Sequence, residues 1–227
     1  MKNNEKVSTI IVAAGESRRM GGIDKVTALL GGQPLLLRAT RPFQECPLIQ
    51  QIVVVVSGEN EDRCRLLVTG EEWSKVTDVC LGGKRRQDSV AAGLKRLKDC
   101  DWVVIHDGAR PLITIDLIER GLEAARETGA AAAAVPVTDT IKVVDDKEIV
   151  HQTLLRESLR AVQTPQVFRF NIITEAHQAG SDVTDDASLV EQLGYKVKLY
   201  PGSYDNIKVT TPEDLALAEV LLRKYEH

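Results

Sequence analysis

Three stretches of this chain put glycine beside positive charge, and each follows an apolar run. The first is Ala13-Ala14-Gly15-Glu16-Ser17-Arg18-Arg19-Met20-Gly21-Gly22, with Lys25 close behind. The second is Gly82-Gly83-Lys84-Arg85-Arg86-Gln87-Asp88-Ser89, and the third is Asp107-Gly108-Ala109-Arg110-Pro111. Glycine lets successive backbone N–H groups turn toward an anion, and such nests bind phosphate. Arginine and lysine add fixed positive charge where phosphoryl transfer builds negative charge. The chemistry suggested is therefore the binding or transfer of a phosphorylated group; the plainer reading of each loop is a glycine-containing turn with solvated basic residues.

The first loop matches neither common phosphate fingerprint. In a Walker loop the lysine precedes Ser or Thr, whereas Lys25 precedes Val26. In a dinucleotide loop glycines would stand at Ser17 and Met20. A nucleotide is indicated, but neither a P-loop ATPase nor a hydride-transfer enzyme. Other polar positions could join in. Asp107 could hold a divalent cation through oxygen, or simply cap its turn. Arg110, Arg156, Arg160, Thr164-Pro165-Gln166 and Asp205-Asn206-Ile207-Lys208 could bind phosphate or face solvent.

These residues need a frame, and the apolar pattern supplies one. Val7–Val12, Gln51–Val56, Val76–Leu81, Asp101–His106, Ala130–Val137 and Lys196–Tyr200 read as buried strands. Pro34–Gln44, Glu59–Val68, a segment with Val90, Leu94 and Leu97 on one face, and Asp116–Glu127 read as helices. A last helix has Thr211 as N-cap, Pro212 at its first position and Asp214 closing a capping box. Such alternation predicts a Rossmann-like, three-layer, mostly parallel twisted α/β sheet with helices on both faces. Ligands bind such sheets at the carboxyl ends of the strands, where the glycine-basic loops fall. Thr138–Arg160 breaks the rhythm: Thr140–Val144 and Glu148–Thr153 flank Asp145-Asp146-Lys147 as a projecting β-hairpin. Residues 1–227 are expected to form one domain, with 138–160 as an arm.

Composition narrows the field. A hydrophobic share of 43% over 227 residues supports a packed core. A net charge of −4 argues against a broad nucleic-acid or anionic-membrane surface. No apolar run reaches the roughly 20 residues that span a bilayer, and no signal peptide is expected from the polar start. Cys46, Cys64, Cys80 and Cys100 lack C-x-x-C spacing, so free thiols in the cytoplasm are expected. His106 should hydrogen-bond near its strand end, His151 and His177 should lie at the surface, and Trp73 and Trp102 should pack.

Taken in order, these motifs resemble the 2-C-methyl-D-erythritol 4-phosphate cytidylyltransferase family. The likeness rests on Ala13-Ala14-Gly15 with Arg18-Arg19-Met20, Gly82-Gly83 with Arg86 and Asp88-Ser89-Val90, and His106 to Pro111. It continues through Pro136-Val137 with Asp139-Thr140, Thr164-Pro165-Gln166, Thr184-Asp185-Asp186-Ala187 and Asp205 to Thr210. The resemblance implies that CMP passes from CTP to 2-C-methyl-D-erythritol 4-phosphate, with release of pyrophosphate. It implies that Arg19, Lys25, Arg156 and Lys208 act on the reacting phosphates, and that Ala13, Ala14, Gly15, Gly82, Gly83, Arg86 and Ser89 hold CTP. It implies a substrate pocket of Asp107, Arg110, Thr140, Arg156, Thr164 and Lys208, Mg²⁺ on Asp107 and Asp205, and a homodimer joined through the arm. Thr140 and Arg156 would then serve the neighbouring subunit's site. Two departures stand out: Asp24 precedes Lys25, and Ser17 stands where glycine is common. A cytidylyltransferase for another polyol phosphate, such as ribitol 5-phosphate, and a non-catalytic nucleotide-binding module are the alternatives.

Overall fold

The structure, a computed structural model, describes residues 5–15, 27–180 and 183–224. Ser17, Arg18, Arg19, Asp24 and Lys25 lie outside the described residues.

The sheet is built around β1 (Val7–Ala13). Two short strands, β2 (Leu29–Leu30) and β3 (Gln33–Pro34), form a hairpin ahead of α1 (Leu35–Glu45). Then come β4 (Ile49–Val56), α2 (Glu61–Gly70), β5 (Val76–Leu81), α3 (Arg86–Leu94) and β6 (Trp102–Asp107). Next are α4 (Ile115–Thr128), β7 (Ala130–Pro136), β8 (Lys142–Val144), β9 (Val150–Thr153) and β10 (Arg160–Arg169). The chain continues with α5 (Phe170–Ala179), α6 (Asp186–Gln192), β11 (Lys198–Pro201) and α7 (Pro212–Leu222).

Seven strands form one sheet in the order β11-β7-β10-β6-β1-β4-β5. All pairings are parallel except those of β10, which runs antiparallel to both β6 and β7. Strands buried on both faces favour continuous β-branched runs, and Ile52 to Val56 of β4 are wholly buried. Helices α1, α2 and α4 cover one face through Leu36, Phe43, Cys64, Ile118 and Leu122. Helices α3, α5 and α6 cover the other through Val90, Leu94, Ile173 and Val190. A third core joins Ala28, Leu30, Leu35, Leu112 and Val209 to Ala218 and Leu222 of α7.

The strand–helix alternation and the three layers are as expected. The segment from Arg160 to Gln192 is where the structure adds most. Thr164, Pro165 and Gln166, which follow the hairpin, sit inside β10. The ladder of β10 on β7 slips between Val162 and Gln166, and proline has no N–H to give it. Helix α3 ends at Leu94, so Leu97 is buried from the turn beyond it rather than from the helix. In the hairpin, Lys142 pairs with Thr153 and Val143 with Gln152. Asp145 Oδ1 accepts from the N–H groups of Lys147 and Ile149, both at 2.9 Å, making the turn a little longer than Asp145–Lys147. Every residue of β8 and β9 is exposed.

Candidate active site

At the carboxyl end of the sheet, backbone bonds stitch the loops together. Gly82 N–H donates to Val56 O at 2.8 Å and Gly108 N–H to Val12 O at 2.9 Å. Gly82 has no room for a side chain: a Cβ there would stand 2.5 Å from Ala14 Cβ and 2.6 Å from Ser89 Oγ. Gly83 N–H donates to Ser89 Oγ at 3.2 Å, and Ser89 donates in turn to Arg85 O at 3.2 Å. Arg85 and Asp88 bond at 2.7 Å and close the first turn of α3. Ala13, Ala14 and Gly15 lie alongside, and a Cβ on Gly15 would meet open space. Small residues beside the N-terminus of α3 leave room there for a phosphate, while the Gly82 and Gly83 amides are spent on Val56 O and Ser89 Oγ.

Beside this recess, Asp107 is surrounded by cations. Its Oδ1 accepts from Arg86 Nε at 3.1 Å, its Oδ2 lies 2.7 Å from Lys208 Nζ, and Arg110 Nε is 4.0 Å away. Burial by itself would raise the Asp107 pKa, but Arg86, Lys208 and Arg110 hold it well below the usual carboxylate range. Arg86 also bonds Asp186 Oδ2 through Nη1 at 2.6 Å, and Asp186 Oδ1 meets His177 Nε2 at 3.0 Å. Arg110 donates to Asn206 O at 2.6 Å, while Asn206 Nδ2 donates to Thr164 O at 2.8 Å. The loop bearing Lys208 is thus tied to the loop bearing Asp107, again by Val209 N–H to Ala109 O at 2.8 Å.

His106 fixes the backbone here. It is wholly buried, and burial pushes its pKa down to about 4. The neutral ring has one donor nitrogen. Nε2 faces the carbonyl of Arg110 at 3.0 Å, so Nε2 carries the proton. Nδ1 then accepts from Thr164 Oγ1 at 3.1 Å, and Thr164 Oγ1 accepts from Asp107 N–H at 3.1 Å. His106 does hydrogen-bond at the strand end, as expected.

Arg86, Asp107, Arg110, Thr164 and Lys208 therefore come together in one cluster next to Gly82, Gly83 and Ser89. Thr140 and Arg156 lie elsewhere, on the exposed arm, where Arg156 donates to Thr138 O at 3.1 Å and faces Glu157. Arg19 and Lys25 lie outside the described residues. His177 corrects the expectation of a surface residue: its side chain is 7% exposed and meets Asp186. Asp186, at 1%, is the functional neighbour that local reading missed. The Thr184–Ala187 motif contains it, but nothing nearby in sequence shows that its partner is Arg86.

The ionised oxygens of Asp107 are the donors Mg²⁺ favours, but Arg86 and Lys208 occupy them, so a divalent cation would have to take the place of Lys208 on Oδ2. Among the described residues no group of three or more His, Cys, Asp or Glu gathers for a metal. An ion here would take its remaining ligands from a substrate's phosphates and water, the usual Mg²⁺ arrangement in phosphoryl-transfer sites. Asp205 is held by Lys224 at 3.0 and 3.3 Å and would have to leave it to contribute.

A mostly parallel sheet with a glycine-lined recess and an arginine-lysine cluster at its strand ends defines an α/β protein that handles phosphorylated ligands. The model of the 2-C-methyl-D-erythritol 4-phosphate cytidylyltransferase (IspD) family matches residues 7–224. A protein of that name from Dehalococcoides mccartyi is 53% identical over 97% of this chain and 98% of its own. The crystal structure of 4-diphosphocytidyl-2C-methyl-D-erythritol synthase from Anaerococcus prevotii superposes with a TM-score of 0.85 at 31% identity, covering 96% of each chain. That of the cytidylyltransferase from Thermus thermophilus gives 0.79 at 34% identity, over 96% of this chain and 99% of that one. The chain belongs to the 2-C-methyl-D-erythritol 4-phosphate cytidylyltransferase family.

Proposed function

We propose that the chain transfers CMP from CTP to 2-C-methyl-D-erythritol 4-phosphate at this strand-end rim, in isoprenoid precursor biosynthesis. A phosphate oxygen of the polyol attacks the α-phosphorus of CTP. The bond to the bridging oxygen breaks, pyrophosphate leaves with its electron pair, and 4-diphosphocytidyl-2-C-methyl-D-erythritol forms. No covalent protein intermediate is needed; positioning and charge neutralisation carry the step.

Ala13, Ala14, Gly15, Gly82, Gly83, Arg86 and Ser89 hold the nucleotide. Arg19 and Lys25 meet the α-phosphate. Lys208, with Arg156, orients the polyol phosphate, and Arg110, Thr140 and Thr164 line its pocket. Asp107 and Asp205 are the carboxylates that would hold Mg²⁺, which would supply positive charge to the triphosphate. The observation that carries this reading is the Asp107 cluster: one carboxylate faces three cations, Arg86, Arg110 and Lys208. Lys208 is the most exposed member, its side chain 42% accessible, so an incoming phosphate can reach it and compete with Asp107 for it.

We also infer a homodimer through the arm at 138–160. Its Val143, Val144, Ile149, Val150 and Leu155 are all exposed, with Leu155 at 71%, and exposed apolar surface of this kind marks an interface. Thr140 and Arg156 then enter the partner's site. None of the four cysteines is in a disulfide, which suits a reducing cytoplasm.

The test crosses CTP, ATP, GTP and UTP with methylerythritol phosphate and ribitol 5-phosphate, and follows pyrophosphate release in Mg²⁺. Turnover with CTP and methylerythritol phosphate is expected. Preference for ribitol 5-phosphate, or no release over background, would overturn the assignment.

A further inference from the structure

We propose that Asp186, braced by His177, is a positioning residue that holds Arg86 in place for the reaction. This rests on the reading of the Asp107 cluster as the active site.

The argument starts from the fork of Arg86. Its guanidinium is planar, so fixing two nitrogens fixes the third. Nη1 is gripped by Asp186 at 2.6 Å and Nε is bonded to Asp107 at 3.1 Å. Nη2 is buried with no hydrogen-bond partner among the described residues. A buried donor left open in an otherwise bonded group is a donor in reserve, here beside the nucleotide recess. Arg86 is the first residue of α3, while Asp186 is the first of α6 and His177 lies on α5. The grip therefore joins three helices on the same face of the sheet.

Asp186 sits deepest in this arrangement. It is 1% exposed, and each of its oxygens has a partner: Arg86 on one and His177 on the other. Its helix is anchored independently. Gln166 of β10 donates to Asp185 at 2.8 Å and accepts from Ala187 N–H at 3.1 Å. A carboxylate so fixed serves as an anchor. When a substrate phosphate draws Lys208 away, Asp107 depends on Arg86 for its nearest remaining cation. Arg86 can stay in register only while Asp186 holds its far side. Without that grip the guanidinium is free to rotate toward Asp107 or toward the nucleotide, and both Nη2 and the Asp107 carboxylate lose their aim.

The experiment is a double-mutant cycle on the full-length protein, with kcat and KM measured for CTP and the polyol phosphate. Asp186→Asn should lower kcat about tenfold or more while the KM for CTP moves much less. Arg86→Gln should also lower turnover, and adding Asp186→Asn to it should cost little more, because both act through one guanidinium. A folded Asp186→Asn protein with normal kcat would overturn the proposal, as would losses that simply multiply. An Arg86→Gln protein of full activity would instead sink the active-site reading, so the two failures are distinct. If Asp186→Asn does not fold, the His177 pair decides. His177→Phe removes the brace and should lower kcat, whereas His177→Gln keeps a donor and should restore it. Equal kcat in both, at the wild-type level, would overturn the brace.

Discussion

Lys208 Nζ lies 2.7 Å from Asp107 Oδ2, joining the loop after β11 to the carboxyl end of β6. The two ends of this ion pair differ in character. Asp107 is 6% exposed and has further cations around it, whereas the lysine side chain is 42% exposed. A half-exposed pair contributes little to folding, about 1 kcal/mol or less. Its value is as a parked charge that a substrate phosphate can claim.

Lys208→Ala should therefore separate stability from function. The thermal midpoint should stay near wild type. The kcat/KM for the polyol phosphate should fall by about 10–100-fold, the worth of one charge-assisted hydrogen bond, with CTP binding much less affected. Steady-state kinetics with each substrate varied in turn, beside a melting curve, checks both halves. Unchanged kcat/KM would remove Lys208 from phosphate recognition.

His106 gives stability a pH dependence of known sign. Burial lowers its pKa from 6.5 to about 4 in the folded chain. Between those values the unfolded chain binds the proton and the folded chain does not, so stability is full above about pH 6.5 and falls as pH drops toward 4. The loss across the window is about 3 kcal/mol. Asp107 and Asp186 add nothing here: their folded pKa values are depressed too, but as carboxylates they lose their stabilisation only below about pH 4. Urea midpoints at pH 7.5 and 5 should differ for the wild type and differ less for His106→Gln. Equal slopes in both proteins would show that another group titrates.

The Gly82 recess makes a steric prediction. In Gly82→Ala the new methyl would press on Ala14 and Ser89, at 2.5 and 2.6 Å, so one wall of the recess must move. The Kd for CTP should rise about 10–100-fold, since a displacement of ~1 Å can cost up to about a hundredfold, while the strands below keep the protein folded. Isothermal titration with CTP and a far-UV spectrum measure the two. Wild-type affinity would place the nucleotide elsewhere.

What could be read from the sequence follows the range of the interactions involved. Strand β5 lies at the expected Val76–Leu81, because a short segment with Val76, Thr77 and Val79, bounded by polar and glycine residues, is a local signal. Thr211 caps α7 and Asp214 closes its box, again within four residues. Strand β10 carries no such signal. Its buried middle is Gln163, Thr164, Pro165 and Gln166, polar or lacking an N–H, and it is buried because distant groups satisfy it: Ser203, Asn206, Asp185 and Ala187. The site divides in the same way. The glycine-basic loops stand out in sequence, but the bridge from Asp107 through Arg86 to Asp186 joins residues remote in the chain. Only the sheet order brings them together.

The arm supplies the last prediction. Ile149, just before β9, is 62% exposed and Val150, its first residue, 53%, and nothing among the described residues covers them. Replacing both with Asp puts two charges per subunit, four per dimer, where the inferred interface would bury apolar surface, so the dimer should dissociate at micromolar protein concentration, weakened by about 1,000-fold or more. Sedimentation velocity reads the assembly directly. If Arg156 serves the partner's site, the monomer should also lose turnover although its own Asp107 cluster is intact. Mixing Arg156→Ala with Lys25→Ala subunits gives the complementary result: each heterodimer has one site with both residues native, so activity should reappear as subunits exchange. Heterodimers that form and stay inactive would place Arg156 in its own subunit's site, and a variant that remains dimeric would move the interface away from the arm.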